Sequence, residues 1–246
     1  MWDNPRQLNA LALLAALAAL ALFAWGAIAW AVRQPAFALR EVVIEGRLAR
    51  ANPAHLEAVI REELRGTFFT LRLPEARASL QPVPWVKSVA LRRQWPDRLQ
   101  ITLVEHEPLA RWTEGALVGT EGEVFTAEYA GDLPQLSGPE GSAAICAARF
   151  REFGAALGTR ALAISELTLS PRGGWQLRTV GGTPLTIEVG RNEPGERLSR
   201  FVFYHARTLG ALARTGTRTD YVDLRYRNGF AVRVPGFKEK PAKKAG

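Results

Sequence analysis

Cysteine is almost absent from this chain. Cys146 is the only one among 246 residues, so no intrachain disulfide can form. Histidine is scarce too: His55, His106 and His205, taken with Cys146, are far apart and lack the spacing of metal ligands. There is no Gly-x-Ser-x-Gly elbow, no Gly-x-Gly-x-x-Gly turn and no phosphate loop. His106-Glu107 begins like a zinc-protease helix, but Ala110 stands where the second histidine belongs and Pro108 would interrupt the helix. Only carboxylates brought together by the fold would leave room for catalysis. The expectation is therefore no enzyme, no cofactor, no metal and no small-molecule substrate.

The basic residues, 32 against 24 acidic, give a formal charge of +8. They are mostly arginines scattered among acids, without the aromatic-interleaved clusters of single-strand binders. That excludes an obvious nucleic-acid surface and leaves a generally basic exterior. Cys146 shares helical spacing with Phe150, Phe153 and Leu157, which predicts a buried, unreactive thiol.

What the chain does have is one apolar run, Ala10 to Val32, without a charge. As a helix it would reach about 35 Å, enough to cross a hydrocarbon core of about 30 Å. Trp25 and Trp30 lie near its end, where indoles favour the headgroup level, and Arg33 and Pro35 close it. A cleavable signal is the rival, with Ala36-Phe37-Ala38 as a small-x-small site, but signal cores usually run about 7–15 residues. A retained anchor fits better. Flanking charges leave its orientation open: Arg6 precedes it, whereas Arg33, Arg40, Arg47 and Arg50 follow.

After a brief linker, Leu39–Gly46 reads as a strand ending at a glycine turn. Asn52 is an N-cap with Pro53 in the first helical position, and Leu56, Val59, Ile60 and Leu64 follow at helical spacing. Pro74 opens a second helix through Leu80. From Trp85 the period falls to two, and Trp95-Pro96-Asp97-Arg98 suits a type I hairpin turn between two strands. Strand, helix, helix, strand, strand is an α+β unit with both helices on one face of a sheet.

Beyond Gly115, Leu117-Val118 and Val124-Phe125 predict a hairpin, and residues 143–157 a helix. Strands follow at 166–169, 175–179 and 185–189. One long helix is predicted over 194–213, with Leu198, Phe201, Val202, His205, Leu209 and Leu212 on its apolar face. Arg197, Arg200, Tyr204, Arg207 and Arg214 form a second stripe, which is ordinarily a solvated face. His205 reads as a hydrogen-bonded core residue. Val222, Leu224 and Tyr226 alternate with Asp223, Arg225 and Arg227 as a half-buried strand, and Asn228-Gly229 suits a type I′ turn into a last strand, Phe230 to Val234. Such a terminal strand has either a covered edge or a free one able to accept a strand from another protein.

Five stretches carry a resemblance. Pro84-Trp85-Val86-Lys87 and Arg92–Pro96, followed by Val104–Trp112, resemble the POTRA domain of the bacterial FtsQ/DivIB cell-division family, and Leu133–Gly141 and Val222–Tyr226 with Gly229 resemble its second domain. The resemblance implies a short cytoplasmic tail over 1–9, a transmembrane helix over 10–32, a POTRA domain over 38–112, a mixed β-sheet domain with two helices over 113–235 and a disordered basic tail over 236–246, bearing Lys238, Lys240, Lys243 and Lys244. Many family members have a longer polar tail than the nine residues here.

The resemblance further implies a non-catalytic inner-membrane scaffold of the divisome at the division septum, its N-terminus cytoplasmic and its domains periplasmic. Its partners would be FtsB and FtsL, bound chiefly by strand addition. Carried over residue by residue, that surface comprises Arg172, Tyr204, Tyr226, Asn228, Phe230, Val232 and Val234. A secondary surface on the POTRA unit, for an upstream division protein, comprises Leu73, Ser88, Leu91 and Arg93. An envelope chaperone bearing POTRA domains and an envelope hydrolase stand as alternatives. The first usually carries several POTRA copies or a barrel, and the second would show turnover.

Overall fold

A computed structural model describes residues 5–46, 48–64, 66–181 and 184–236. The lysine-rich tail beyond Gly236 lies outside the described residues. Helix α1 (Pro5–Ala31) begins earlier than the apolar run, because nothing in Arg6–Asn9 stops a helix. Its residues Asn9–Ala31 are long and apolar enough to cross a membrane.

The chain divides into two units, Met1–His106 and Glu107–Gly246. The first holds β1 (Glu41–Glu45), α2 (Pro53–Glu63), α3 (Leu73–Leu80), β2 (Val86–Gln94) and β3 (Arg98–Glu105), in the order the sequence predicts. The sheet order is β1-β3-β2, with β1 parallel and β2 antiparallel to β3. Alternation on β3 buries Leu99, Ile101 and Leu103, and Leu56, Ala76 and Leu80 of the helices are buried with them. Asn52 caps α2, its Oδ1 accepting from Ala54 N at 3.0 Å. The Trp95–Pro96 peptide in the hairpin is cis.

Two features fix the far end of β1. Gly46 has φ +139°, and a Cβ there would lie 2.4 Å from Leu103 O, so only glycine fits. Just beyond, the Glu105 carboxylate accepts from the backbone N–H groups of Ala49 (3.1 Å), Arg50 (3.1 Å) and Ala51 (2.8 Å). Burial opposes its ionisation, but these donors outweigh that and hold its pKa below the usual carboxylate value. A depressed folded-state pKa means the contribution is present above the unfolded pKa and lost as pH falls through the folded one. Glu105→Ala is expected to cost about 1.5–3 kcal/mol. The measurement is amide exchange at residues 49–51, corrected for intrinsic rates; unchanged protection would refute the clamp.

The second unit is built on β4 (Pro108–Arg111), β5 (Leu117–Gly119), β6 (Val124–Phe125), β7 (Gln135–Ser137), α4 (Ala143–Gly158), β8 (Ala163–Leu169), β9 (Trp175–Val180), β10 (Leu185–Gly190), α5 (Pro194–His205), α6 (Leu209–Arg214), β11 (Tyr221–Asp223) and β12 (Ala231–Arg233). Nine strands form one mixed sheet, ordered β12-β11-β10-β9-β8-β7-β4-β5-β6. The sequence pattern carried the first domain to 112, whereas β4 pairs into this second sheet. Helices α4 and α5 pack on the sheet, burying Phe153, Leu157, Leu198 and Phe201 with Leu167, Trp175, Leu177 and Ile187. Phe153 meets Trp175 edge-to-face at 6.0 Å. Cys146 is fully buried there, and burial pushes its thiol pKa up, as expected of an inert cysteine.

Two expectations fail. The predicted helix over 194–213 breaks after His205: Thr208 turns its Oγ1 onto Tyr204 O at 2.9 Å, and with φ −108° and ψ −88° it leaves helical geometry before α6 begins. Among the described residues the unit therefore has three α-helices where two were expected. The two-residue turn at Asn228-Gly229 is not formed either. Neither residue has positive φ, and β11 and β12 are joined by residues 224–230. Leu224 continues along β10, its N–H donating to Glu188 O at 2.8 Å, so the chain leaves β11 too late for a tight hairpin.

Candidate partner-binding edge

The last strand ends the sheet. β12 pairs antiparallel with β11 through Tyr221↔Arg233, Val222↔Val232 and Asp223↔Ala231, and among the described residues it has no neighbour on its other side. The register decides which backbone groups are free. Thr186 N–H donates to Asp220 O and Leu224 N–H to Glu188 O, so Val222 between them directs its own groups toward β10. Tyr221 and Asp223 then face β12 and bond Arg233 and Ala231. Val232, opposite Val222, points its N–H and C=O outward, to the open side.

Side chains alternate across the same strand. Phe230 and Val232 lie against the core, Phe230 meeting Phe201 of α5 edge-to-face at 5.6 Å. Arg233, on the opposite face, pairs with Asp220 at 3.0 Å and lies over the Tyr221 ring. Between β12 and α5 is a shallow depression of about 710 Å³ lined by Arg200, Tyr204, Thr208, Arg227, Asn228, Gly229, Phe230 and Val232. Arg200 donates to Arg227 O at 2.6 Å, joining the helix to the loop.

The loop is held at its base. Asp223, nearly buried, accepts from Arg225 N at 2.9 Å, from Arg225 Nε at 2.9 Å and from Arg225 Nη2 at 2.7 Å. Its hydrogen bonds with the Arg225 side chain hold its carboxyl below the usual range, and Arg225 is correspondingly raised. Burial and the charge of Arg160 push His205 down, and its ring packs edge-on to Phe201 at 5.5 Å. The ring is only half-buried, so it is a margin rather than a core residue.

Of the residues named from sequence, Tyr204, Asn228, Phe230 and Val232 line this depression together. Val234 follows β12 directly and is half-buried. Tyr226 is not on a strand: it stands 57% exposed in the loop, since alternation ends at Leu224. Arg172 is exposed in the Ser170–Gly174 turn, at the sheet end where Trp175 pairs with Gly190, and does not line the depression. Arg200, Thr208, Arg227 and Gly229 complete the depression; Arg200 belongs to the basic helix stripe read from sequence, whereas Thr208 and Arg227 were missed as site residues. The i, i+4 spacing of Arg200 and Tyr204 on α5 was the available signal, whereas Thr208 lies beyond the end of that helix. Arg197, placed in the solvated stripe, instead donates to Val189 O at 3.3 Å.

On the first unit, Leu73, Ser88, Leu91 and Arg93 are all half-buried. Arg93 donates from Nη2 to Leu71 O, which makes it a strut between β2 and the turn before α3. Among the described residues no group of three or more His, Cys, Asp or Glu is placed to hold a metal.

An apolar N-terminal helix, a three-stranded sheet with two helices and a mixed sheet ending in an open strand define a POTRA-type protein with one candidate membrane span. Residues 37–106 match the POTRA domain, FtsQ-type, and residues 110–225 match cell division protein FtsQ/DivIB, C-terminal. Proteins named cell division protein FtsQ are similar throughout. That of Burkholderia pseudomallei is 39% identical over 246 residues, covering 97% of this chain and 96% of the relative. That of Nitrosospira multiformis is 34% identical, covering 95% and 99%, and that of Escherichia coli 32% identical, covering 94% and 85%. The chain belongs to the FtsQ/DivIB family, a family of division scaffolds.

Proposed function

We propose that this protein is a non-catalytic, single-pass scaffold of the inner membrane at the division septum. Helix α1 spans the bilayer with the N-terminus cytoplasmic and both folded units periplasmic. The protein holds FtsB and FtsL, an FtsB segment adding as a strand to β12. The observation that carries this is the outward pair of backbone groups on Val232 beside the depression under Tyr204. Asn228, Phe230 and Val234 extend the contact along the chain. Arg172 and the Arg200–Arg227 pair offer positive charge to acidic residues flanking the added strand. Tyr226, exposed on the loop, reaches the same partner. The half-buried Leu73, Ser88 and Leu91 with Arg93 form the weaker surface, for an upstream division protein.

The test is co-purification of the full chain with FtsB and FtsL from detergent-solubilised membranes. Stoichiometric recovery is expected, and intact, folded protein that recovers neither partner would sink the proposal.

A further inference from the structure

The first unit has an end that, of the proposed protein contacts, only Arg93 reaches, and it lies against the exit of α1. The carbonyl of Val32, one residue past the helix, accepts from Thr67 Oγ1 at 2.8 Å. Thr67 belongs to the turn between α2 and α3. Phe68 N–H donates to Phe37 O at 2.7 Å, and Ala38 forms an antiparallel bridge with Thr67. These bonds fasten the turn to the chain that leaves the helix. Phe37 and Phe69 project from this seam, 36% and 49% exposed, their rings edge-to-face at 5.2 Å.

The β2–β3 hairpin reaches the same end. Arg40 N–H, three residues beyond Phe37, donates to Asp97 O at 3.0 Å, and Arg93 bonds the carbonyl of Leu71 at the end of the turn. Trp95 at the hairpin tip is 79% exposed. Three large aromatic rings therefore stand uncovered at the one end of the unit from which an apolar helix departs.

Distance supplies the occupant. An apolar helix of this length reaches about 35 Å, whereas the hydrocarbon core is about 30 Å and the bilayer with its headgroups about 40–45 Å. Val32 then lies in the interfacial layer, and Thr67, hydrogen-bonded to it, lies there too. This is the layer in which aromatic rings are favoured, as Trp25 and Trp30, 72% and 68% exposed near the helix end, also are. We propose that Phe37, Phe69 and Trp95 seat this end of the POTRA unit in the phospholipid headgroup layer of the membrane that α1 crosses. The unit is then held by helix, turn and hairpin at three points, with a fixed orientation to the membrane plane. The inference rests on α1 spanning the bilayer.

The experiment uses the full chain carrying Cys146→Ser, reconstituted in phosphatidylcholine–phosphatidylglycerol nanodiscs with or without brominated acyl chains. A single cysteine is introduced by Leu20→Cys, Phe69→Cys, Trp95→Cys or Ala49→Cys and labelled with an environment-sensitive fluorophore. Ala49 stands at the opposite end of β1 and is exposed. Strong quenching at position 20, and quenching at 69 and 95 several-fold above that at 49, is expected. Quenching at 20 with 69 and 95 no higher than 49 would overturn the seat and leave the span intact. No quenching at 20 would overturn both.

Discussion

Val232→Pro is expected to weaken capture of FtsB by about a hundredfold, or about 2–3 kcal/mol, while the nine-stranded sheet stays folded. The outward N–H of Val232 is the donor that an added strand would use, and proline removes it and puts a ring in the incoming strand's path. The bonds from β12 to β11 belong to Ala231 and Arg233, so they survive. Proline at either of those two positions would instead break the native ladder and unfold the edge. Phe230→Pro is a poorer probe, because Phe230 precedes the paired residues of β12 and its ring stacks on the fully buried Phe201, whereas Val232 has no such aromatic contact. Titration calorimetry with an FtsB segment, with near-UV circular dichroism as the fold control, gives the comparison. A folded Val232→Pro protein with undiminished affinity would refute strand addition.

Phe201→Ala is expected to destabilise the second unit by about 3–5 kcal/mol. The ring is fully buried on α5, and both Phe230 and His205 stack edge-on to it. Truncation leaves a cavity that a nine-stranded sheet and its helices cannot collapse to fill. Because Phe230 rests on that ring, β12 loses its support as well, and partner affinity falls with stability. Urea unfolding followed by Trp175 fluorescence is suited to the measurement, since Trp175 lies in the same core. A loss below about 1 kcal/mol would mean that Phe201 does not carry the helix–edge contact.

The first unit was legible almost throughout, because its signals are local: the Asn52-Pro53 cap, the change from helical spacing to alternation at Trp85, and the glycine at 46. Family motifs then identified the second unit. What sequence could not supply there was tertiary. Periodicity runs on through His205, Thr208 and Leu209, and nothing in it says that the Thr208 hydroxyl will compete for the carbonyl of Tyr204 and end the helix. Asn228-Gly229 is a sound local turn signal, overruled by the pairing of Leu224 with β10 and by the Asp223–Arg225 clamp. Whether the last edge is open depends on the order of nine strands. That order follows from pairings as distant as β7 with β8 and β10 with β11. The residues proposed for this edge, of which Val232 alone lies within β12, came from likeness, whereas the place of Thr208 and Arg227 beside them depended on a helix end and a loop meeting in space.

The brevity of β12 sets how selective this surface can be. Only Val232 of its three residues turns backbone groups outward, so an incoming strand gains about two hydrogen bonds, worth roughly 1–3 kcal/mol together. Micromolar binding needs about 8 kcal/mol. The remainder must come from side chains that fill the depression under Tyr204 and meet the Arg200–Arg227 pair. A generic β-strand, including one from a second copy of the chain, satisfies the backbone and little else. Under strand addition, an edge this short would reward indiscriminate pairing little, and selectivity would fall to apolar and acidic side chains at the right alternation.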